Sequence, residues 1–507
     1  MILRASAREE PRGKPGAEPG PLVALSLVLG TGLALRVALA NVAPIFLEGD
    51  SQSYLLPAWQ LLHGDGFSPE LRRTPGYPLL IAAAFRALGE DLQSLALAQH
   101  ALGLATAILT YVIGQRLFGR AAGLLAAAAV AVSGPQLIYE RYLMTEALFG
   151  FALAVVGLAL VTALRRPTPQ ALLFVGLSVG LAALTRPVAQ AILPLAFAAF
   201  LALLPRWRPA LRAVGLTLAG FALIVAPWML RNVAAHDTPA ASGGLGRSLI
   251  ARTVKYDNLV DWKWLSETYG GRDDLPARER MLLYRKRGNI PEGRSVRPYQ
   301  DSLIRDLGLS QGQAESAMRD IGLEAIGRRP LDYARGSLLF TLQLFLGRDE
   351  LFQSHWKQRA SKDWSEQWDD RLDFLVAPIA PQQVQGQATA AALTDLYQPA
   401  RLGWALLALF GAGCLLAVRE PARRPALLLA GIVLTLLTFS AFLDGPVPRY
   451  RYPLDPLIAV LASGGLVRGL RALWALRRRP GTVADLAVSE SPLPQVPIPS
   501  PPPRGLG

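Results

Sequence analysis

The apolar residues of this chain gather into runs of about 17–25 with few charges, each long enough to cross the hydrocarbon core of a bilayer. The runs occupy 21–40, 93–115, 121–137, 143–164, 170–185, 188–204, 212–230, 400–418, 425–443 and 453–472. Inside a bilayer the backbone must satisfy itself, so runs of this length dictate helices. Composition agrees: 18% of the residues are charged, against roughly 25% in an ordinary soluble chain. The sequence therefore predicts an all-α polytopic membrane protein with about 10–11 transmembrane helices.

A net charge of +14 would suggest nucleic acid only if the cations shared one face. Here the arginines sit at the ends of apolar runs. Arg116 with Arg120, Arg165 with Arg166, Arg206 with Arg208 and Arg212, Arg419 with Arg423 and Arg424, and Arg477 to Arg479 mark short connections. With the N-terminus in the cytoplasm, every one of these clusters falls on the cytoplasmic side, as the positive-inside rule requires. The single cysteine, Cys414, excludes an intramolecular disulfide. No CxxC motif or His/Cys cluster offers a structural zinc site. Ala38-Leu39-Ala40 resembles a signal-peptidase site, but the run before it exceeds a secretory h-region of about 7–15 residues, and it reads as a retained helix.

Residues 1–20 and the Pro-rich 476–507 read as disordered cytoplasmic tails. Between them lie an N-terminal transmembrane module (21–230) with a first external loop (41–92), an external domain (231–399), and a C-terminal transmembrane module (400–475). The first loop carries two amphipathic helices, Ser51 to Leu62 and Pro75 to Leu88. The external domain, a mixed cap, holds five of the ten tryptophans, as expected at headgroup level. Within it, 336–347 is apolar but too short to span comfortably. A lone crossing there would put Arg477 to Arg479 outside, so it reads as an interfacial or re-entrant helix; a second crossing between 370 and 398 would also restore parity.

The informative polar residues collect at the external helix ends. Asp50 precedes the helix from Ser51 to Leu62, where it could be an N-cap or a general base for an acceptor hydroxyl. Arg72 and Arg73 stand at the start of Arg72-Arg73-Thr74-Pro75-Gly76-Tyr77-Pro78, a helix N-terminus that receives phosphate well. Glu140 and Glu146 occupy the third connection, and an ionisable residue at membrane depth marks a site by default. Thr145 and Glu146 could also merely cap a helix. Arg186 separates two apolar runs, Arg231 closes Pro227-Trp228-Met229-Leu230-Arg231-Asn232, and Arg449 with Arg451 introduces the last span. External arginines run against the positive-inside trend and call for an anionic partner: acidic neighbours such as Asp444 or Asp455, anionic lipid, or a lipid-linked phosphate.

Taken in order, Asp50, Tyr54, Gly64-Asp65-Gly66-Phe67, the Arg-Thr-Pro-Gly-Tyr-Pro segment with Tyr77, Met144-Thr145-Glu146, Thr185-Arg186-Pro187, the Pro-Trp-Met-Leu-Arg-Asn segment and Arg449-Tyr450-Arg451-Tyr452-Pro453-Leu454-Asp455-Pro456 resemble the GT-C superfamily of membrane glycosyltransferases. The similarity is nearest to bacterial relatives of the protein O-mannosyltransferases and of the lipid A aminoarabinose transferase, over residues 21–475. It implies a GT-C type helix bundle in a bacterial inner membrane, a polyprenyl-phosphate-sugar donor, and inverting transfer to a glycolipid, glycan or protein acceptor outside the cytoplasm. It implies a catalytic carboxylate at Asp50 and donor-phosphate ligands at Arg72, Arg73, Arg449 and Arg451. Tyr54, Tyr77, Glu140, Glu146, Arg186 and Arg231 are the further substrate-site candidates. Protein mannosyltransferases often carry Asp-Glu where this chain has Asp50-Ser51, which turns the expectation toward the glycolipid-modifying branch. Relatives can hold a divalent cation near His236-Asp237; the pair reads as an ordinary loop, and no metal ligand is assigned. Two other classes compete. A multi-helix transporter would show repeated halves and polar residues near the midplane, and a scaffold would bind glycolipid without turnover.

Overall fold

The computed structural model describes residues 20–43, 45–67, 73–236, 238–256, 259, 262–287, 296–347, 368–379 and 402–477. Arg72 and Asp237 lie outside them. The chain forms two units, Met1–Leu466 and Val467–Gly507, and the contacts described below lie within the first. Ten helices carry the ten apolar runs: α1 (Pro21–Val42), α4 (Leu92–Phe118), α5 (Arg120–Ala131), α7 (Glu146–Arg165), α8 (Pro169–Thr185), α9 (Ile192–Leu203), α10 (Trp207–His236), α18 (Gly403–Arg419), α19 (Pro425–Leu443) and α20 (Asp455–Arg477). Among the described residues six spans are long and apolar enough to cross a membrane, and α5, α8, α9 and α18 belong to a shorter apolar set.

The shortness has local causes. The run expected over 121–137 breaks at Ser133, whose side chain caps a new helix, α6 (Gly134–Tyr139), with Pro135 in its first turn. Pro lacks an N–H, and the first turn is where a helix accommodates it at least cost. Likewise α9 is preceded by a 3-10 turn, Pro187–Ala191, started by Pro187. In the other direction α10 runs through Pro227 and ends only at His236, so the Pro-Trp-Met-Leu-Arg-Asn segment is a helix interior.

Small residues let the helices approach, as in membrane bundles generally. A Cβ on Gly176 of α8 would strike the carbonyl oxygen of Thr217 on α10, and one on Gly220 would strike that of Leu173. Gly114 of α4 and Gly123 of α5 meet in the same way. Arg116 donates to Thr162 at 2.6 Å, and Arg165 donates to the Arg116 carbonyl. The arginine-rich end of α7 is therefore the end opposite Glu146.

Around that other end, the first connection packs into one apolar cluster. It joins Phe46 and Leu55 of the first loop, Tyr77 and Phe85 of α3 (Gly76–Leu88), Tyr139, Tyr142, Leu143 and Met144, and Leu372, Leu375 and Val376 from a short segment that includes α17 (Asp373–Val376). The loop itself is anchored by an isolated bridge between Phe46 and Tyr142. It leads into α2 (Gln52–Leu62), at whose N-cap stands Ser51 rather than Asp50. A second cluster joins α11 (Leu245–Ala251), α13 (Leu275–Arg287), α14 (Arg297–Leu307) and α15 (Gln311–Arg328) through Ile250, Leu283, Tyr299, Leu303 and Met318. Helix α12 (Trp262–Tyr269) lies between α11 and α13 in sequence. The apolar stretch at 336–347 falls in α16 (Pro330–Leu346), which lies against α19. Arg252 stacks over Tyr333 and Phe340 of α16, and the Tyr333 hydroxyl donates to the Phe442 carbonyl at the end of α19.

A buried charge network supports the first loop from below. Arg36 of α1 forms a bidentate pair with Glu140, at 2.8 and 2.6 Å, and His100 of α4 reaches the same carboxylate at 2.7 Å. Arg36 also donates to the carbonyls of Gly32 and Ala131. Removing one member of such a pair strands a charge in an apolar setting. Arg36→Met should therefore cost about 3–5 kcal/mol. The double change of Arg36 and Glu140 to Met should cost less than the single. Unfolding midpoints in detergent measure both, and a double variant weaker than the single would contradict this account.

Candidate functional site

Asp50 sits just past the Phe46 bridge, held by the turn that Ser51 closes. The Ser51 hydroxyl accepts from the Glu48 amide at 2.8 Å and donates to the Leu143 carbonyl at 3.1 Å. The residue that departs from the Asp-Glu pattern is thus the one that pins the acidic loop to the third connection.

Two guanidiniums engage the Asp50 carboxylate. Arg73 Nη2 lies 2.7 Å from Oδ1, and Arg449 Nη2 lies 3.2 Å from Oδ2. Arg73 is further fixed by Ser53 Oγ at 2.8 Å and by the Tyr54 ring, 4.3 Å from its centre. Arg449 also faces Glu48 at 3.5 Å and Glu146 at 3.9 Å. Glu146 pairs with Arg186 at 2.5 Å, and Arg186 donates to Thr145 at 2.7 Å. The Tyr450 hydroxyl donates to Asp444. Arginines and carboxylates therefore alternate through the site, and the charges of one set neutralise those of the other. Burial opposes the charge on Arg73, but Asp50 and Tyr54 together more than offset it and raise its pKa above the ordinary value.

These groups line a cavity of about 710 Å³. Its polar lining includes Asp50, Tyr54, Arg73, Arg186, Arg247, Asp444, Arg449 and Tyr450, and its apolar lining includes Leu436, Phe439 and Leu443 of α19 with Val188 and Leu454. The α3–α8 contact is what brings the Arg-Thr-Pro-Gly-Tyr-Pro segment to Arg186. Thr74 donates to the Thr185 carbonyl at 3.2 Å, and a Cβ on Gly76 would lie 2.6 Å from the Leu184 carbonyl oxygen. Only a residue without a Cβ fits there.

Of the residues singled out in the sequence, Asp50, Tyr54, Arg73, Arg186 and Arg449 line this cavity, with Glu146 directly behind Arg186 and Arg449. The others sit elsewhere. Tyr77 is buried beneath Tyr54 and donates to Gln99 at 2.9 Å. Glu140 belongs to the Arg36 network. Arg231 stacks on Trp228 and contacts His236. Arg451, fully buried, pairs with Asp455 at 3.2 Å and does not line the cavity. The arginine expected beside a phosphate instead braces the start of the last helix.

Arg247 is the cavity residue that the sequence reading passed over. It stands on α11, whose Gly246 amide is capped by Glu315 of α15 at 2.6 Å, and its side chain makes no ion pair among the described residues. Burial, then the neighbouring Arg73, hold its pKa below the ordinary value against the pull of Asp50, Glu315 and Asp444. The only hint in the sequence is a lone cation in Gly243-Gly244-Leu245-Gly246-Arg247-Ser248. No group of three His, Cys, Asp or Glu among the described residues could hold a metal ion. Both Asp50 oxygens face guanidiniums in this structure.

Residues 72–230 match the family model described as dolichyl-phosphate-mannose-protein mannosyltransferase, in agreement with the GT-C resemblance. The match includes Arg73, Glu146 and Arg186 and leaves Asp50, Arg247 and Arg449 outside. No curated protein matches the chain by sequence. Among solved structures, the oligosaccharyltransferase AglB of Archaeoglobus fulgidus, in complex with an inhibitory peptide and dolichol-phosphate, aligns over 91% of this chain and 52% of its own, at 13% identity and TM-score 0.46. ArnT of Cupriavidus metallidurans, bound to undecaprenyl phosphate, aligns over 88% and 78%, at 11% identity and TM-score 0.37. The chain thus spans about half the length of the archaeal protein.

The tight approach at Gly76 predicts that Gly76→Ala destabilises the protein by about 1–3 kcal/mol, the usual cost of overpacking. An unfolding midpoint in detergent equal to that of the unaltered protein would remove the close contact from the account.

Proposed function

We propose that this chain is an inverting glycosyltransferase that takes a sugar from a polyprenyl-phosphate donor and gives it to an acceptor hydroxyl outside the cytoplasm, on a glycolipid or envelope glycan. The observation that carries the reading is the Asp50 carboxylate set between Arg73 and Arg449 on the wall of a cavity lined by both charged and apolar residues. The apolar lining suits a prenyl chain, and the guanidiniums suit the phosphate it bears. The arginine clusters at the opposite end of α7 support a cytoplasmic placement for that end and an external one for the cavity.

In the reaction the acceptor oxygen attacks the anomeric carbon from the face opposite the phosphate. The bond between that carbon and the phosphate oxygen breaks, and its electron pair leaves on the phosphate. The acceptor proton passes to Asp50. Arg73 and Arg449 stabilise the charge that gathers on the leaving phosphate, which is the larger contribution in transfers of this kind. Arg186 and Arg247 face the same cavity and add to its positive field. Glu146 positions Arg186 and Arg449. One attack without an enzyme-bound sugar inverts the anomeric centre.

A protein acceptor is the second reading, and the family match over 72–230 favours it. Ser51 in place of the second acid favours the first.

Incubation with a panel of radiolabelled polyprenyl-phosphate sugars, followed by separation of lipid, glycan and protein, tests the function and the acceptor together. Label that never leaves the donor would overturn the assignment. Asp50→Asn should lower turnover by roughly 10²–10⁴, the contribution of a general base. Arg449→Ala should weaken donor binding as well as turnover; wild-type donor affinity would remove it from the phosphate site.

A further inference from the structure

The resting site presents a conflict. The proposed base is bridged by the same two guanidiniums that the donor phosphate needs. Asp50 takes Arg73 at 2.7 Å and Arg449 at 3.2 Å, and no more than about a quarter of any of the three side chains is exposed, at 23%, 17% and 14%. With both oxygens turned to guanidiniums, the carboxylate is not presented to an acceptor hydroxyl.

Both arginines have other supports that survive the loss of Asp50. Arg73 keeps Ser53 and the Tyr54 ring, and Arg449 keeps Glu48 and Glu146. Arg247, on the same wall, carries no ion pair among the described residues and is close enough to Arg73 for their charges to repel. An anion placed between Arg247 and Arg73 relieves that repulsion and competes directly with Asp50.

We propose that the donor phosphate and the Asp50 carboxylate compete for Arg73 and Arg449, so that the base is held inactive in the empty enzyme and released only when the donor is bound. The proposal rests on the donor class assigned above. The phosphate is met by Arg247, draws Arg73 and then Arg449 toward itself, and loosens their hold on Asp50 so that the carboxylate can take the acceptor's proton. Donor binding therefore precedes activation of the acceptor. Linkage is reciprocal: if the phosphate weakens the hold on Asp50, Asp50 weakens the hold on the phosphate by the same factor.

That reciprocity gives an outcome that a base of purely catalytic role does not predict. Asp50→Asn, which retains size and loses charge, should bind the donor phosphate more tightly than the wild type. The probe is undecaprenyl phosphate, titrated against full-length protein in nanodiscs and read by native mass spectrometry. Asp444→Asn serves as control, because it removes a carboxylate from the same cavity that is held by a tyrosine hydroxyl and not by an arginine. The expected result is a fall in Kd of about five- to a hundredfold for Asp50→Asn, the range of typical site-to-site coupling, and less than about threefold for Asp444→Asn. Equal or weaker binding by Asp50→Asn, with the wild type binding the probe, overturns the competition and leaves the donor class standing. Equal tightening in both variants overturns it too, since bulk charge would then suffice. Absence of probe binding by every form overturns the donor class itself, and the competition with it.

Discussion

Arg449 joins the two ends of the chain. Its guanidinium reaches across 399 residues of sequence to Asp50 and also meets Glu48 and Glu146, so a single side chain bridges the first loop, the start of α7 and the approach to the last helix. A cation in that position is costly unless anions surround it, and the anions are equally costly without it. The first loop, α3, the end of α8 and the end of α19 are all brought to the place where those charges cancel. The cavity is what remains between them.

Much of the helical framework was legible from the sequence, because apolar runs flanked by arginine report directly on a bilayer and on the sign of each side. All ten runs became helices. The lengths were less legible: the break at Ser133 lies inside one apolar run, where Gly134 and Pro135 signal it, and the turn begun by Pro187 takes the first residues of the next run away from α9. The fate of the Pro-Trp-Met-Leu-Arg-Asn segment was hidden for the opposite reason, since Pro227 suggests an ending that neighbouring helices make unnecessary.

For the site, the residue types were readable and the partners were not. Asp50, Arg73, Arg186 and Arg449 could be picked out as charges where charges are unexpected. Nothing in the order of residues says that Arg449 would choose Asp50 while Arg451, two positions on, would turn to Asp455. Adjacent residues in a tight turn leave it in different directions, and burial then fixes each to the nearest opposite charge. Arg247 was missed because the external domain is rich in arginine, and only the packing of α11 against α15 selects one of them for the cavity. Glu140 stood out for its depth, yet depth alone does not separate a reacting carboxylate from one that holds α1 and α4 together.

The short helix α9 has a consequence for the lipid around the protein. Its 12 residues extend only about 18 Å along the axis, well under the roughly 30 Å of an ordinary hydrocarbon core. A helix so mismatched thins the leaflet beside it or draws headgroups inward. The turn that shortens it, Pro187–Ala191, is also part of the cavity wall. A short apolar helix therefore stands at the edge of the cavity.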